Sequence, residues 1–368
     1  MQKYRLVGER VLLRKPKRSD IADRQAIGRH SEFVRMCGGS MEEPVSFPPR
    51  TYWRKGYRGF RRERHGFSIE YENRCVGMTK LRGFGKSKSF SIGIFDPALW
   101  SQGLGAEATR LMLRYGFGRL GLESITLRVL ECNARGIRCY EKCGFRRTGA
   151  QGGDVFMAIT RREYELRQDL LLYAISDGDL PAIEAALRGG ATMLQLRAKG
   201  LPEDELLGLA RSVKRITDRY GVPLIVNDRA DIAVAIDAAG AHLGLSDGDL
   251  RAARAVLGPD KILGATARTT EQALAAQAAG AGYLGCGAVF GTVTKADAVP
   301  MPLEVLREIC AAVEIPVVAI GGIARANIER LKGCGMAGVA VVSGIFGAQD
   351  IEQAARELRG MAEGICPK

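Results

Sequence analysis

Residues 191–199, with the sequence ATMLQLRAK, decide how the second half of this chain is interpreted. An apolar run, as in a buried strand, ends in three polar side chains that are spaced two residues apart. Residues at that spacing share one face of an extended segment, so Gln195, Arg197 and Lys199 converge where the strand ends. Arginine binds phosphate oxygens in a bidentate way and lysine binds them as a compact charge. The segment therefore predicts a diphosphate site, and a solvated strand end is the alternative with about equal weight.

Outward from this segment, apolar runs alternate with alanine-rich helical stretches. Strands are predicted near 170–175, 191–197, 223–227, 241–243, 261–265, 281–286, 316–320 and 337–342. Helices are predicted near 180–188, 202–220, 229–239, 248–257, 270–279, 302–313, 325–332 and 349–362. Eight alternations of this kind favour a (β/α)8 TIM barrel. The runs lack polar alternation because barrel strands are covered on both faces.

Polar and glycine residues gather where the predicted barrel strands end, which is where barrel active sites form. Asp228 and Asp247 follow the third and fourth strands, and their carboxylates suit Mg²⁺. One predicted anion pocket contains Gln195, Arg197, Lys199 and Lys295 beside these carboxylates, and the other contains Thr292, Thr294, Gly322 and Ser343. Two phosphorylated small molecules that face each other are therefore the expected substrates.

Six segments of the barrel half occur in the order and spacing of one enzyme family. They are Gln-x-Arg-x-Lys, Asn-Asp-Arg, Gly-Ala-His-Leu-Gly-x-x-Asp, Phe-x-Thr-x-Thr-Lys, Ala-Ile-Gly-Gly-Ile and Val-Val-Ser. Residues 170–365 thus resemble thiamine-phosphate synthase. The resemblance implies Mg²⁺-dependent joining of 4-amino-5-hydroxymethyl-2-methylpyrimidine diphosphate to 4-methyl-5-(2-hydroxyethyl)thiazole phosphate, with release of diphosphate. Related thiazole tautomerases share the barrel but usually lack the full diphosphate and metal set, so the synthase is favoured.

The same resemblance implies roles for individual residues. The pyrimidine diphosphate would be held by Gln195, Arg197, Lys199, Asn227, Thr266 and Lys295, and the thiazole phosphate by Thr292, Thr294, Gly322, Val342 and Ser343. Leu196, Ala198 and Val293 complete the expected substrate-binding set. Asp228 and Asp247 would hold the metal, and Arg197, Lys199 and Lys295 would act in catalysis. His242 is interpreted as a packing residue rather than an acid or base.

The N-terminal half contains a strand, a glycine-rich turn and a helix in succession. The strand Phe90–Phe95 leads to Trp100-Ser-Gln-Gly103-Leu-Gly105, and a helical run over 107–120 follows. Such a turn presents free backbone N–H groups at a helix N-terminus, which is a favourable place for a diphosphate. A plain tight turn explains a lone Gly-x-Gly about as often.

Downstream, Asn133 and the segment Tyr140-Glu-Lys-Cys-Gly-Phe145 add specificity. With the glycine turn they make residues 3–165 resemble a GCN5-related N-acetyltransferase, a mixed-sheet α+β fold, of the branch that acetylates protein N-termini or small amines. The resemblance implies that Gly103, Gly105 and Asn133 bind acetyl-CoA as co-substrate, and that Tyr140 is a candidate catalytic acid. The acetyl acceptor, an amine or a protein N-terminus, is not identified. Glu70 and Glu72 are weakly supported candidate bases.

Charge divides the chain in the same place. Residues 1–167 hold 34 Lys and Arg against 17 Asp and Glu, whereas residues 168–368 hold 20 against 24. We expect two domains, 1–165 and 166–368, either as a fused acetyltransferase and synthase or as a synthase with a non-catalytic acetyl-CoA-binding or partner-binding module. A basic RNA-tethering module is a further alternative, although no RNA-binding signature favours nucleic acid as a partner. Apolar segments long enough for a membrane are absent, and unpaired cysteines indicate a reducing cytoplasm.

Overall fold

A computed structural model describes residues 5–37, 50–245, 247–291 and 300–366. Thr292, Val293, Thr294 and Lys295, which the sequence assigns to the two anion pockets, lie outside the described residues. The chain divides between Tyr164 and Glu165 into two compact units. In the described part of the chain, no helix has the length and apolar character that a membrane span requires.

The N-terminal unit is built on one mixed sheet. Its strands are β1 (Arg5–Val7), β2 (Leu12–Arg14), β3 (Gly66–Tyr71), β4 (Arg74–Arg82), β5 (Ser87–Ile94), β6 (Ser124–Leu130), β7 (Arg146–Gln151) and β8 (Asp154–Thr160). Its helices are α1 (Asp20–Ile27), α2 (Ser31–Met36), α3 (Arg50–Arg61), α4 (Leu104–Arg114), α5 (Ala134–Lys142) and α6 (Arg161–Asp169), of which α6 crosses the unit boundary. A 3₁₀ turn (Pro97–Leu99) precedes α4 and a π-helical segment (Tyr115–Arg119) extends it. The strands are ordered β1-β2-β3-β4-β5-β6-β8-β7.

The sheet is antiparallel except between β5 and β6, which pair in parallel over only part of their lengths. The two strands pair in parallel only from Ser87–Ser89 to Ser124–Thr126, although β5 continues to Ile94 and β6 to Leu130. Beyond these pairs the strand edges separate. Backbone N–H and C=O groups at separated edges are available to an extended ligand, so the gap is a natural place for one.

The C-terminal unit is a closed barrel of eight parallel strands. The strands are β9 (Leu172–Ser176), β10 (Met193–Leu196), β11 (Leu224–Asn227), β12 (Gly240–Leu243), β13 (Ile262–Ala267), β14 (Tyr283–Gly287), β15 (Val317–Ile320) and β16 (Gly338–Val341). The helices are α7 (Leu180–Arg188), α8 (Glu203–Tyr220), α9 (Ala230–Ala235), α10 (Leu250–Leu257), α11 (Thr270–Ala278), α12 (Leu303–Ala312), α13 (Ser343–Phe346) and α14 (Ile351–Ile365). All eight predicted strands are present, and β16 pairs with β9 to close the barrel.

One predicted helix of the barrel is wrong. The segment 325–332 forms only a 3₁₀ turn, Ile328–Leu331. The Asn327 side chain accepts a hydrogen bond from the Ala324 amide at 2.9 Å and donates one to the Gly322 carbonyl at 2.8 Å. Such local bonds offer the backbone an alternative to helix. The positive φ of Gly333 and Gly335 prevents extension at the other end.

Asp169, the last residue of α6, gives the fold a pH dependence. Burial, aided by the charge of Glu165, raises the pKa of its carboxyl from 3.8 to about 6. The folded state therefore binds this proton more tightly than the unfolded chain does. The ionised carboxylate destabilises the fold at pH above about 6, and the penalty fades as the pH falls towards the unfolded value.

We therefore expect Asp169→Asn to raise the free energy of unfolding by about 1–2 kcal/mol near pH 7.5, after allowance for partial exposure. The gain should be nearly lost near pH 3, below the unfolded pKa of 3.8, where both states hold the proton. Denaturant titrations of the full chain at the two pH values measure it. Glu165→Gln should give a smaller gain of the same sign, and equal stabilities of Asp169→Asn and wild type at both pH values would contradict the assignment.

Candidate functional sites

The barrel cavity opens at the C-terminal ends of the strands and encloses about 1080 Å³ including its mouth. It brings together most of the described residues that the sequence singled out. They are Gln195, Arg197, Lys199, Asn227, Asp247, Thr266, Gly322, Val342 and Ser343. The remainder of the lining contains small or apolar residues and three polar side chains considered below. The cavity is thus a mostly apolar bowl with polar groups concentrated at its rim.

Strand β10 places its alternate residues on opposite sides of the barrel wall. Gln195 faces the cavity and is 2% exposed. The Leu196 side chain is buried in the core between the strands and the surrounding helices, and Ala198 packs against that same core. The side chains of Leu196 and Ala198 thus point away from the cavity, because successive side chains of a strand point to opposite faces. Their predicted contact with the substrate stays a prediction and would involve their backbone groups.

Two carboxylates meet at the ends of β11 and β12. Asp228 adopts a left-handed backbone with φ 63°, and its amide donates to the His242 carbonyl at 2.8 Å. Asp247 accepts a hydrogen bond from the Gly244 amide at 3.0 Å. Burial, followed by the nearby Asp247 carboxylate, raises the pKa of Asp228, and Lys199 approaches it at 3.7 Å. Two carboxylates held close together favour a cation between them.

The fit of this pair to a divalent cation has a second support. The Asp228 Oδ1 atom is buried and accepts no hydrogen bond from any residue that the structure describes. An unsatisfied buried oxygen is costly unless it binds a ligand. No group of three or more potential metal ligands occurs among the described residues. The two carboxylates therefore suit Mg²⁺, which usually takes one or two protein carboxylates and fills its shell with water and phosphate oxygens.

The other side of the cavity is lined by Gly322 and Ser343. Gly322 follows β15 with φ +65°, and a Cβ atom there would lie 2.1 Å from the Gly291 carbonyl oxygen. Only glycine fits so close an approach of two backbone segments. Ser343 and Val342 stand at the end of the adjacent strand β16. These residues leave backbone groups and one hydroxyl near the space where the second phosphate is expected.

In the N-terminal unit, the glycine turn leads directly into α4. Gly103 precedes the helix with φ 84°, and Arg10 closes the turn from outside by donating to the Gln102 carbonyl at 2.9 Å. Gly105 lies within the first turn of α4, and a Cβ there would meet only Cys139 Sγ at 3.9 Å. The first N–H groups of a helix have no partner within it. The turn thus offers the anion site that the sequence predicts.

Asn133 and Tyr140 belong to α5, at the end of the opened strand β6. Asn133 Oδ1 accepts a hydrogen bond from the Gly136 amide at 2.9 Å and so caps the helix. Tyr140 packs edge-to-face against Phe90 and Phe145, with ring centroids 6.3 and 6.0 Å away. Burial raises the pKa of the Tyr140 hydroxyl, so it stays protonated at neutral pH.

The structure gives no support to Glu70 or Glu72 as a general base. Glu70 forms a buried ion pair with Arg14, which also binds Asp20 at 2.7 Å. Burial acts to raise the pKa of Glu70, but the Arg14 guanidinium overcomes it and holds the pKa below its usual value. Glu72 lies in the turn of the β3–β4 hairpin with φ 47°. A paired carboxylate is a poor proton acceptor, so no base for the acceptor amine is identified.

Comparison with known proteins matches each unit to a family model. Residues 172–345 match the family model described as thiamine monophosphate synthase. A thiamine-phosphate synthase of Clostridium tetani is 45% identical over 199 residues, which cover 52% of this chain and 95% of that enzyme. Thiamine-phosphate synthase 2 of Streptococcus pneumoniae is 48% identical over 193 residues, covering 50% of this chain and 92% of that one. The chain belongs to the thiamine-phosphate synthase family.

The solved structure of thiamine phosphate pyrophosphorylase from Pyrococcus furiosus supports the same family. It is 40% identical, with a TM-score of 0.52, and the match covers 54% of this chain and 98% of that chain. Residues 10–146 match the family model for the acetyltransferase (GNAT) domain. Both predicted resemblances are confirmed, as is the fold class of a mixed-sheet acetyltransferase fold followed by a TIM barrel.

Three polar side chains that line the synthase cavity were not predicted as site residues: Tyr173, His242 and Arg268. Arg268 follows the last residue of β13 and lies two residues after Thr266, so continuing the strand alternation by one residue could have found it. Its Nε atom is buried and makes no hydrogen bond within the described ranges. His242, expected to pack, does contact the Tyr283 ring at 5.5 Å but also lines the cavity.

Proposed function

We propose that the barrel joins the aminopyrimidine diphosphate to the thiazole phosphate to give thiamine phosphate and diphosphate. The carbon–oxygen bond of the pyrimidine methylene group breaks, and its electron pair leaves with diphosphate. The thiazole nitrogen lone pair then forms the new carbon–nitrogen bond. One observation carries this proposal: Arg197, Lys199 and Asp247 line one side of a single cavity, with Asp228 beside Lys199, and Gly322 and Ser343 line the other side.

Arg197 and Lys199 bind the diphosphate and act on the rate. The leaving group gains negative charge as the carbon–oxygen bond breaks, so its attraction to these cations grows towards the transition state. Asn227 and Thr266 supply further polar contacts from the neighbouring strand ends. The apolar lining excludes water from the electron-poor pyrimidine carbon, which would otherwise be hydrolysed.

Asp228 and Asp247 would hold Mg²⁺. When bound, the metal supplies positive charge to the oxygens of the departing diphosphate. The buried and unsatisfied Asp228 Oδ1 supports this role. Gly322, Val342 and Ser343 hold the thiazole phosphate, together with Thr292 and Thr294 from the segment outside the described residues.

The reaction is tested with the purified full chain, both substrates and MgCl₂. Thiamine phosphate and diphosphate should form in equal amounts, and neither should form when one substrate is omitted. Consumption of the thiazole phosphate without release of diphosphate would reject the proposal.

Arg268 is assigned to the diphosphate as well. A buried guanidinium Nε without a partner is expected to bind an anion, and loss of one charged hydrogen bond costs about 1.5 kcal/mol or more. Arg268→Ala should therefore raise the KM for the pyrimidine diphosphate about tenfold and leave the KM for the thiazole phosphate unchanged. Steady-state kinetics with each substrate varied measures this. Arg251→Ala, on the exposed start of α10, is the control, and an unchanged pyrimidine KM for Arg268→Ala would remove this residue from the site.

The N-terminal unit is assigned acetyl-CoA binding, with transfer to an amine or protein N-terminus. The glycine turn before α4 would take the diphosphate of the cofactor, and the opened β5–β6 edges would take its extended arm. Tyr140, neutral and close to the opening strand, would protonate the departing thiolate. A module that binds acetyl-CoA without turnover is the second candidate. Acetylation of an amine panel by the full chain separates the two.

Gly105 is the sharper position at which to test cofactor binding. Its φ allows a side chain and its surroundings leave room for one, whereas any side chain at Gly103 is strained by the positive φ. Gly105→Val should fill the approach of the diphosphate and weaken acetyl-CoA binding about tenfold or more. Calorimetry on the full chain measures this, with Gly149→Val on strand β7 as a matched control. Equal affinities for the two variants, or no binding by wild type, would count against the site.

A further inference from the structure

Five side chains of the barrel form one continuous hydrogen-bonded row across its interior. Gln195 Nε2 donates to Tyr173 Oη at 2.7 Å, and Tyr173 Oη lies 2.8 Å from Tyr283 Oη. Tyr283 Oη lies 3.1 Å from His242 Nδ1, and His242 Nε2 lies 3.1 Å from Thr266 Oγ1. The row joins strands β9, β10, β12, β13 and β14. Its two ends, Gln195 and Thr266, both line the cavity.

The middle of the row is dry. Tyr173 is 1% exposed and Tyr283 is fully buried. Burial raises the pKa of both hydroxyls, so each keeps its single proton. A buried hydroxyl with one proton donates in one direction only. A hydroxyl could accept from both neighbours, but its own proton would then lack an acceptor in the buried interior, which is costly. The direction of the bond at one end therefore sets the direction of every bond in the row.

That direction follows from the Gln195 amide. Because Nε2 donates to Tyr173, the Tyr173 proton is given to Tyr283. The Tyr283 proton is then given to His242 Nδ1, which must be unprotonated. Neutral His242 carries its proton on Nε2 and gives it to Thr266 Oγ1. At the cavity, Gln195 thus presents its carbonyl oxygen as an acceptor, and Thr266 presents its hydroxyl proton as a donor.

We propose that this row is a directional relay that couples recognition of the 4-amino group of the pyrimidine to recognition of the diphosphate. The inference rests on the proposed function of the barrel. Gln195 lies deeper in the barrel than Arg197 and Lys199, which are assigned to the diphosphate, so the pyrimidine amino group is placed at Gln195, where it requires an acceptor. A phosphate oxygen at Thr266 requires a donor. Both requirements select the same direction of the row. Tyr173, Tyr283 and His242 are positioning residues, since they act on the substrate through the two end groups.

The opposite direction would present the wrong group at each end. With the amide reversed, the Gln195 NH₂ group would face the substrate amino group. Thr266 would then donate its proton to His242, and only the lone pairs of its hydroxyl oxygen would face the phosphate. A 4-oxo pyrimidine diphosphate satisfies the reversed direction at Gln195 but not at Thr266. The relay therefore makes discrimination between amino and oxo groups depend on residues that contact neither group.

The tautomer of His242 tests the direction without reference to turnover. The chain has only three histidines, so ¹⁵N-labelled imidazoles can be resolved and assigned with a His30→Gln and a His65→Gln variant. Spectra are recorded at mildly alkaline pH, where free imidazole is neutral, with the aminopyrimidine diphosphate bound. We expect Nε2 protonated and Nδ1 bare in His242. A predominant Nδ1–H tautomer would overturn the proposal even if the enzyme makes thiamine phosphate normally.

Two variants test the coupling. Tyr283→Phe removes the central hydroxyl, so the His242 tautomer should become mixed, and the ratio of dissociation constants for the 4-oxo and 4-amino pyrimidine diphosphates should fall three- to tenfold. Tyr173→Phe cuts the row beside Gln195, so the ratio should fall while the tautomer is kept. Tyr173→Phe also tests the coupling by itself if Tyr283→Phe does not fold. Wild-type ratios in the folded variants would reject the relay, whereas absence of thiamine phosphate synthesis by wild type would reject the proposed function instead.

Discussion

Asp228→Asn is expected to lower the rate of thiamine-phosphate formation at least a hundredfold at any Mg²⁺ concentration. The substitution removes a negative charge from the pair that would hold the metal and leaves Asp247 alone. It should not harm the fold. Asparagine accepts the left-handed backbone of this position. Loss of the charge also relieves the burial penalty and the repulsion from Asp247, which together raise the pKa of Asp228.

Asp237→Asn is a matched control for this variant. Asp237 also has a left-handed backbone, with φ 53°, but it lies on the surface and pairs with Lys261 at 2.7 Å. It should retain wild-type activity. The Asp228→Asn variant should unfold at the same temperature as wild type or higher when no metal is added. Full activity of Asp228→Asn at limiting Mg²⁺ would show that these carboxylates do not serve a metal.

The barrel site was largely predictable because one rule places most of it. Parallel strands deliver their C-terminal ends to one rim, so polar residues that follow apolar runs meet there whatever their separation in the sequence. Arg197, Asn227 and Thr266 follow this rule. The same rule in finer detail, alternation along a strand, turns the side chains of Leu196 and Ala198 away from the cavity and directs Arg268, just after β13, towards it. Both placements could have been predicted from the sequence by applying the two-residue period along β10 and β13.

The hydrogen-bonded row could not be predicted in that way. Tyr173 and Tyr283 stand at the starts of their strands, where an aromatic residue in an apolar run indicates packing. Their hydroxyls meet because closure of the barrel brings β9 and β14 across from each other. A side chain that contacts the opposite wall of a barrel leaves no periodic signal. Likewise, the predicted helix over 325–332 does not form because the Asn327 side chain hydrogen-bonds to the backbone, and hydrophobic periodicity does not predict such a bond.

The second large effect concerns the division of the cavity between two phosphates. Arg197 and Lys199 follow β10 and lie beside the acidic pair that follows β11 and β12. Gly322 and Ser343 follow β15 and β16. In the closed barrel the two groups are separated by β9 on one side and by β13 and β14 on the other. The diphosphate and the single phosphate should therefore respond to different residues.

Arg197→Ala should lower kcat/KM for the pyrimidine diphosphate ten- to a hundredfold, since a charged contact to a phosphate is worth about 1.5–3 kcal/mol. Much of the loss should fall on kcat, because the contact strengthens as the leaving group gains charge. Arg197→Lys should recover part of it by keeping the charge without the bidentate geometry. Ser343→Ala should instead raise the KM for the thiazole phosphate several-fold with kcat unchanged, because that phosphate does not change charge during the reaction. Steady-state kinetics with each substrate varied measures both effects. If Arg197→Ala raised only the KM for the thiazole phosphate, the assignments of the two phosphates to the two pockets would be reversed. The acidic pair would then lie away from the leaving group that it is proposed to serve.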